Sequence, residues 1–234
     1  MKNVIEFINV TKEYALGEKK QLAVDNISFE IGESEFVVLL GPSGAGKSTV
    51  LNLLGGMDFA TSGEIIINGK NIANYNDEQL TEYRAENVGF VFQFYNLIPT
   101  LTALENVALT KDVVKSSLDA TEVLTSVGLG EHLNKFPSQL SGGEQQRVSI
   151  ARAICKNPTM LLCDEPTGAL DSETGVVILS LLQQMSKENN KTVIIVTHNA
   201  ALAQAADKVI RIKNGKVRDI ILNASPAAIS EVNW

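Results

Sequence analysis

Two stretches of this 234-residue chain hold the residue types that grasp an anion through backbone N–H groups. Gly41 to Ser48, G-P-S-G-A-G-K-S, has the spacing G-x-x-x-x-G-K-(S/T), follows the apolar run F-V-V-L-L and precedes the helical run S-T-V-L-N-L-L. Glycines let such a loop curl so that successive N–H groups face phosphate oxygens, and the helix N-terminus adds partial positive charge. Gly41, Ser43, Gly44, Ala45, Gly46, Lys47, Ser48 and Thr49 are therefore expected to cradle a nucleoside triphosphate. Lys47 would act as a point charge on the β- and γ-phosphates, and the Ser48 hydroxyl as a ligand for Mg²⁺.

The second stretch is L-S-G-G-E-Q-Q-R, Leu140 to Arg147. Ser141 and Glu144 have the spacing of a capping box. Gly142 and Gly143 would each cost roughly 1 kcal/mol relative to Ala in a helix interior, and less at its end. Bare glycine there is expected to let a group approach the backbone closely. A phosphate held at Gly41–Ser48 already has its donors, so this second anion site is expected to serve a nucleotide on another copy of the chain.

Two strand ends complete the chemistry. In M-L-L-C-D-E-P, Asp164 is placed to hold the Mg²⁺ shell and Glu165 to accept a proton from an attacking water. His198 ends T-V-I-I-V-T-H and is one of two histidines. A lone strand-end His is commonly structural, but convergence with the other two strand ends points to function.

These groups need a frame. F-V-V-L-L, M-L-L-C and T-V-I-I-V are continuously apolar, as parallel strands buried on both faces are. Each leads into a polar or glycine-rich segment, and α/β sheets place ligands at strand carboxyl ends. I-E-F-I-N-V and L-A-V-D-N-I-S-F-E-I alternate as antiparallel strands do, and Asn68-Gly69 and Asn214-Gly215 are hairpin signals. Residues from about 95 to 158 read as mostly helical, with stops at Gly128 and before Pro158. The stretch from Asn223 reads as a tail that needs a partner surface to become ordered.

The bulk numbers exclude several classes. A net charge of −7 and a pI near 5.0 argue against nucleic acid and against direct adhesion to an anionic membrane. No apolar run approaches the length of a membrane span. The opening M-K-N-V-I-E-F lacks a signal-peptide profile, and Cys155 and Cys163 are too few for a disulfide framework. A cytosolic protein with reduced, buried thiols is expected.

L-S-G-G-E-Q, G-P-S-G-A-G-K-S and L-L-C-D-E-P together resemble the ATP-binding-cassette (ABC) ATPase family over essentially the whole chain. The resemblance implies an α/β fold: a P-loop NTPase (RecA-like) core with a mostly parallel sheet, an N-terminal antiparallel β subdomain and an inserted α-helical subdomain. It divides a single domain, 1–234, into core plus β subdomain over 1–94 and 159–222, a helical subdomain over about 95–158, and a tail over 223–234. It implies ATP and Mg²⁺ as ligands and a head-to-tail dimer in which each P-loop faces the partner's Ser141, Gly142 and Gly143. Tyr14 resembles the aromatic that stacks on adenine, and Gln93 the glutamine that touches Mg²⁺ and links the site to a membrane partner. Asp171 resembles the loop residue that crosses the dimer interface, and His198 the switch that contacts the γ-phosphate.

The runs F-Q-F-Y-N-L-I-P-T-L-T-A-L-E-N-V (92–107), S-G-G-E-Q-Q-R-V-S-I-A-R-A-I and D-E-P-T-G-A-L-D-S are similar to the macrolide-exporter and lipoprotein-release type (MacB/LolD). Those ATPases work with FtsX/MacB-like integral membrane permeases, which implies a peripheral place on the cytoplasmic face of the membrane. Ala169 stands where relatives often carry Asn. An FtsE-like division ATPase and the ATPase of an importer share much of the pattern. A P-loop kinase or GTPase would leave Leu140–Gln145 unexplained. A DNA-repair or translation ATPase would be expected to show a coiled-coil insertion or a second cassette. Trp234, the sole tryptophan, has two readings, disorder or docking on the partner copy.

Overall fold

The computed structural model describes residues 3–17, 19–114 and 117–232. Trp234 lies outside the described residues. The alternating N-terminal segment forms β1 (Asn3–Leu16) and β2 (Lys19–Gly32), an antiparallel pair. They join β4 (Ser62–Ile67) and β5 (Lys70–Asn71) in a four-stranded sheet of order β2-β1-β4-β5. Asn68-Gly69 turns the β4–β5 hairpin with Ile67 opposite Lys70, and both turn residues have positive φ, as that turn type requires.

The three apolar runs are β3 (Phe36–Leu40), β7 (Met160–Asp164) and β8 (Thr192–Thr197). With β6 (Val88–Phe92), β9 (Lys208–Lys213) and β10 (Lys216–Leu222) they form a second sheet of order β10-β9-β3-β8-β7-β6. All neighbours in it run parallel except the β9–β10 hairpin, which turns at Asn214-Gly215. The hairpin signal identified that turn but gave no sign that β9 also pairs parallel with β3.

Among the described residues, six helices pack on this frame. They are α1 (Lys47–Leu54), α2 (Asp77–Asn87), α3 (Ala103–Ala108), α4 (Ala120–Ser126), α5 (Gly142–Cys155) and α6 (Ser172–Lys187). Strand alternation divides the core. Phe36, Val38 and Leu40 of β3 face a layer with Val148 and Ala151 of α5 and Leu179 and Leu182 of α6. Val37 and Leu39 face the opposite layer, with Leu51 and Leu54 of α1 and Ile5 and Phe7 of the small sheet. Because β3 is buried on both faces, each of its side chains contributes burial energy, at about 1.5–3 kcal/mol for a large aliphatic group.

The C-terminal stretch departs from the sequence expectation. Residues 223–232 are ordered on their own chain and need no partner copy. A short 3-10 turn at Ile229–Glu231 puts Ile229 and Val232, 1% and 4% exposed, into the α5–α6 layer. The Gln183 amide on α6 fixes the segment, donating to Ala227 O (3.0 Å) and accepting from Ile229 N (3.2 Å). In sequence these two apolar residues sit among Ser, Ala and Asn, so their shared target was not visible.

Candidate active site

The loop between β3 and α1 depends on its glycines in different ways. A Cβ on Gly41 would lie 2.2 Å from Ile212 O, and one on Gly46 2.3 Å from Ala23 O. Gly41 and Gly46 are therefore required by close packing against β9 and β2. Gly44, at φ +74, has nothing within 4 Å of a Cβ position, so its requirement is conformational and its open side faces the cavity. Ala45 is buried, and its carbonyl accepts Gly215 N at 3.0 Å, tying the loop to the β9–β10 turn.

Lys47 is 7% exposed, and its ammonium donates to Gly41 O and Pro42 O, both at 2.9 Å. The lysine is thus turned onto its own loop. Ser48 donates from Oγ to Asp164 Oδ1 at 3.3 Å, so the two residues expected to hold Mg²⁺ are neighbours across the β3–β7 gap. Burial raises the Asp164 pKa; the Ser48 hydrogen bond opposes this, the Glu165 charge adds to it and the Lys47 charge opposes it.

Glu165 follows Asp164 with φ +46, a left-handed conformation that a non-glycine residue adopts at some cost. The twist sends its carboxylate to the next strand end. Oε2 accepts the Thr197 hydroxyl at 3.1 Å, and Oε1 lies 2.9 Å from His198 Nδ1. Thr197 is a site residue that the sequence reading missed, because a threonine ending a buried strand carries no signal of its own.

These groups border a cavity of about 990 Å³. Ser43, Gly44, Gly46, Lys47, Ser48 and Thr49 line one side, with Gln93, Asp164, Glu165 and His198 at the parallel strand ends. Tyr14 also lines it, with Gln21–Ala23 of β2 and the Asn214-Gly215 turn. Both of those segments were read from sequence as strand or turn only.

Ser141, Gly142, Gly143 and Asp171 do not border this cavity. Ser141 caps α5 as expected, accepting Glu144 N at 3.3 Å while Ser141 N donates to Glu144 Oε2 at 2.7 Å. Both glycines also have close neighbours within the chain: a Cβ on Gly143 would meet Thr174 Cγ2 at 2.2 Å, and one on Gly142 would meet the Tyr95 hydroxyl, the end of a long side chain, at 2.9 Å. Asp171 caps α6, accepting Thr174 N (2.9 Å) and the Thr174 hydroxyl (2.8 Å), and this presents Thr174 to Gly143.

A buried amide ties the Ser141 helix to the cavity. Gln146, 0% exposed, donates from Nε2 to Phe92 O (3.3 Å) and Pro166 O (2.8 Å), one residue before Gln93 and one after Glu165. Arg152 of the same helix donates to Tyr95 O (3.0 Å) and Asn96 O (2.7 Å). The α5 helix thus grips the segment after β6 at both ends.

The donor set suits Mg²⁺ bound together with a nucleotide. Among the described residues no group of three or more His, Cys, Asp or Glu forms a cage. A hydroxyl and a single carboxylate, 3.3 Å apart beside the phosphate loop, match a cation that keeps water and phosphate oxygens as ligands.

Comparison with known proteins agrees with this geometry. A family model described as ABC transporter matches residues 24–168. An uncharacterized ABC transporter ATP-binding protein of Thermotoga maritima is 45% identical over 225 residues, covering 94% of this chain and 96% of that one. A putative ABC transporter ATP-binding protein of Mycoplasma genitalium is 42% identical over 237 residues; the match takes in 99% of this chain and 50% of that longer protein. Among solved structures, the ATP-binding cassette MJ0796 of Methanocaldococcus jannaschii, in a dimeric post-hydrolysis state with ADP and Pi, matches with a TM-score of 0.85. Identity to it is 43%, over 93% of this chain and 98% of that one.

Proposed function

The chain belongs to the ABC transporter family as an ATP-binding, ATP-hydrolysing protein, and on that premise we propose that two copies close head-to-tail around two ATP to drive an FtsX/MacB-like permease. The observation that carries this reading is the separation of the two anion-binding helix starts. Lys47, Ser48, Asp164, Glu165 and His198 share one cavity, while Ser141 is exposed outside it, at the start of α5. A second copy that brings Ser141, Gly142 and Gly143 to the open side of the cavity completes a site that one chain leaves half built. The dimer of MJ0796 with ADP and Pi supports the pairing of two copies.

In the proposed cycle, Lys47 exchanges its two loop carbonyls for β- and γ-phosphate oxygens, while Gly44 and Gly46 offer N–H groups. Ser48, Gln93 and Asp164 would hold Mg²⁺, which would supply neutralisation of the phosphate charge. Glu165, its carboxylate fixed by Thr197 and His198, takes a proton from a water as that water bonds to the γ-phosphorus and the bond to ADP breaks. His198, on the rim of the same cavity, steadies the γ-phosphate. Asp171 lies at the copy–copy boundary, and Tyr14 stacks on adenine. Positioning and charge neutralisation provide most of the rate gain.

The permease reading rests on the resemblance of residues 92–107 and of the Ser141 helix to the macrolide-exporter and lipoprotein-release type. Phe94, 75% exposed directly after Gln93, supports a partner contact there. Among the described residues no helix is long and apolar enough to cross a membrane. We place the protein on the cytoplasmic face, held through the permease and driving export of a peptide, antibiotic or lipoprotein-like substrate. The test is size-exclusion chromatography of Glu165→Gln with ATP. A dimer that forms with ATP and is absent without it is expected, and monomer alone under both conditions overturns the sandwich.

A further inference from the structure

Tyr14 does not project freely from its strand. Its hydroxyl donates to Asp58 Oδ2 at 2.6 Å. The other oxygen of the same carboxylate takes Lys12 Nζ at 2.5 Å and Phe59 N at 2.8 Å. Lys12 Nζ also donates to Phe59 O at 2.8 Å and stands 4.8 Å from the centroid of the Tyr14 ring. One phenol is thus held at its edge by a carboxylate and covered on one face by an ammonium.

Asp58 belongs to the segment that follows α1, and that segment is tied down from three sides. Met57 N donates to Asn52 O at 2.8 Å, joining it to the helix that carries Lys47, Ser48 and Thr49. Arg84 of α2 donates to Gly56 O at 2.5 Å. Thr61 N donates to Thr11 O at 2.8 Å and its hydroxyl accepts Glu13 N at 2.9 Å, joining it to β1 on either side of Lys12. The Tyr14 ring and the helix start that follows the phosphate loop are therefore tied together through one short segment.

We infer that Asp58 and Lys12 are positioning residues of the nucleotide site: they lock the Tyr14 ring so that its uncovered face meets the purine at the spacing the phosphate loop requires. This rests on the reading of Tyr14 as the base-stacking residue. A ring on an exposed strand end loses rotamer freedom when a base stacks on it, and a ring already pinned loses little. The ionisation states agree. Burial favours the neutral acid at Asp58, yet the hydrogen bonds from Lys12, Tyr14 and Phe59 N hold its pKa below the ordinary value. Burial and the Asp58 bond raise the Tyr14 pKa against an opposing hydrogen bond with Thr49, so the phenol stays a donor.

The experiment measures Kd for ATP and for inorganic tripolyphosphate, which has no base, in Tyr14→Ala, Tyr14→Phe, Asp58→Asn and the Tyr14→Phe/Asp58→Asn double variant. Tyr14→Phe removes the hydroxyl and keeps the ring. Both it and Asp58→Asn are expected to weaken ATP binding about threefold to tenfold. The double variant should be no weaker than either single one, and tripolyphosphate binding should be unchanged throughout. If Tyr14→Ala weakens ATP while Tyr14→Phe and Asp58→Asn do not, base stacking stands and the positioning role falls. Equal loss of ATP and tripolyphosphate in Asp58→Asn also overturns it, marking a purely structural staple. If Tyr14→Ala binds ATP like the parent, the base-stacking reading itself fails.

Discussion

Thr174 Cγ2, in the first turn of α6, stands 2.2 Å from where a Cβ on Gly143 would be, so the second glycine of the Ser141 helix start leaves room for a side chain of its own chain. Gly143→Ala should therefore destabilise the protein by about 1–3 kcal/mol through overpacking. Thr174→Ser deletes the offending methyl and keeps the hydroxyl bonded to Asp171. Denaturant unfolding of the double variant should recover most of the loss, with a coupling energy of roughly 1 kcal/mol or more. Additive losses would mean that the contact does not set the requirement.

Glu165→Gln keeps the shape of the carboxylate held by Thr197 and His198 but cannot take a proton. Single-turnover hydrolysis should fall by about 10²–10⁴-fold, the usual range for a lost general base. ATP affinity should stay near the parent value. A loss of less than tenfold would point to another base.

Ser141 is exposed and lies away from the cavity. Ser141→Arg removes the α5 cap at a cost of about 1 kcal/mol, which leaves the monomer folded. Monomer binding of ATP should be unchanged, measured by titration calorimetry, whereas hydrolysis should disappear. Retained hydrolysis would show that no second copy needs this helix start.

Lys156 donates to Arg84 O (2.7 Å) and Val88 O (2.8 Å). Burial, assisted by the nearby Arg84 charge, pulls its pKa from 10.5 down to about 8. Between these values the unfolded chain binds more protons than the folded one, so this group makes stability rise with pH across that window. The difference in unfolding free energy between the parent and Lys156→Met should therefore shift in the parent's favour from pH 8 to 10. Parallel pH curves for the two proteins would contradict the depressed value.

Much of the site and its frame is legible in the sequence, and for local reasons. Gly41–Ser48 announces its own conformation, since glycine spacing, a preceding apolar strand and a following helix are all neighbours in the chain. The same holds for the Ser141–Glu144 capping box, the two Asn-Gly hairpins and the strands β3, β7 and β8, whose buried faces leave continuous apolar runs. The sheet partners β6 and β9 are harder to read. Gly89 interrupts the first, and the second alternates with Arg211 and Lys213 because it lies beside the edge of the sheet.

Residue types along the chain marked the candidate groups for phosphate, metal and proton, and where the strands that carry them end. Only the tertiary structure decided how those groups meet. It set Ser48 against Asp164 across 116 positions and bound Tyr14 to Asp58 across 44. It also packed Thr174 on Gly143, ordered Ile229 and Val232 on α6, and left Ser141 outside the cavity. Such pairings arise from the stacking order of strands and helices, which no spacing rule within one segment can express, because the free energy that selects them comes from burying distant faces together.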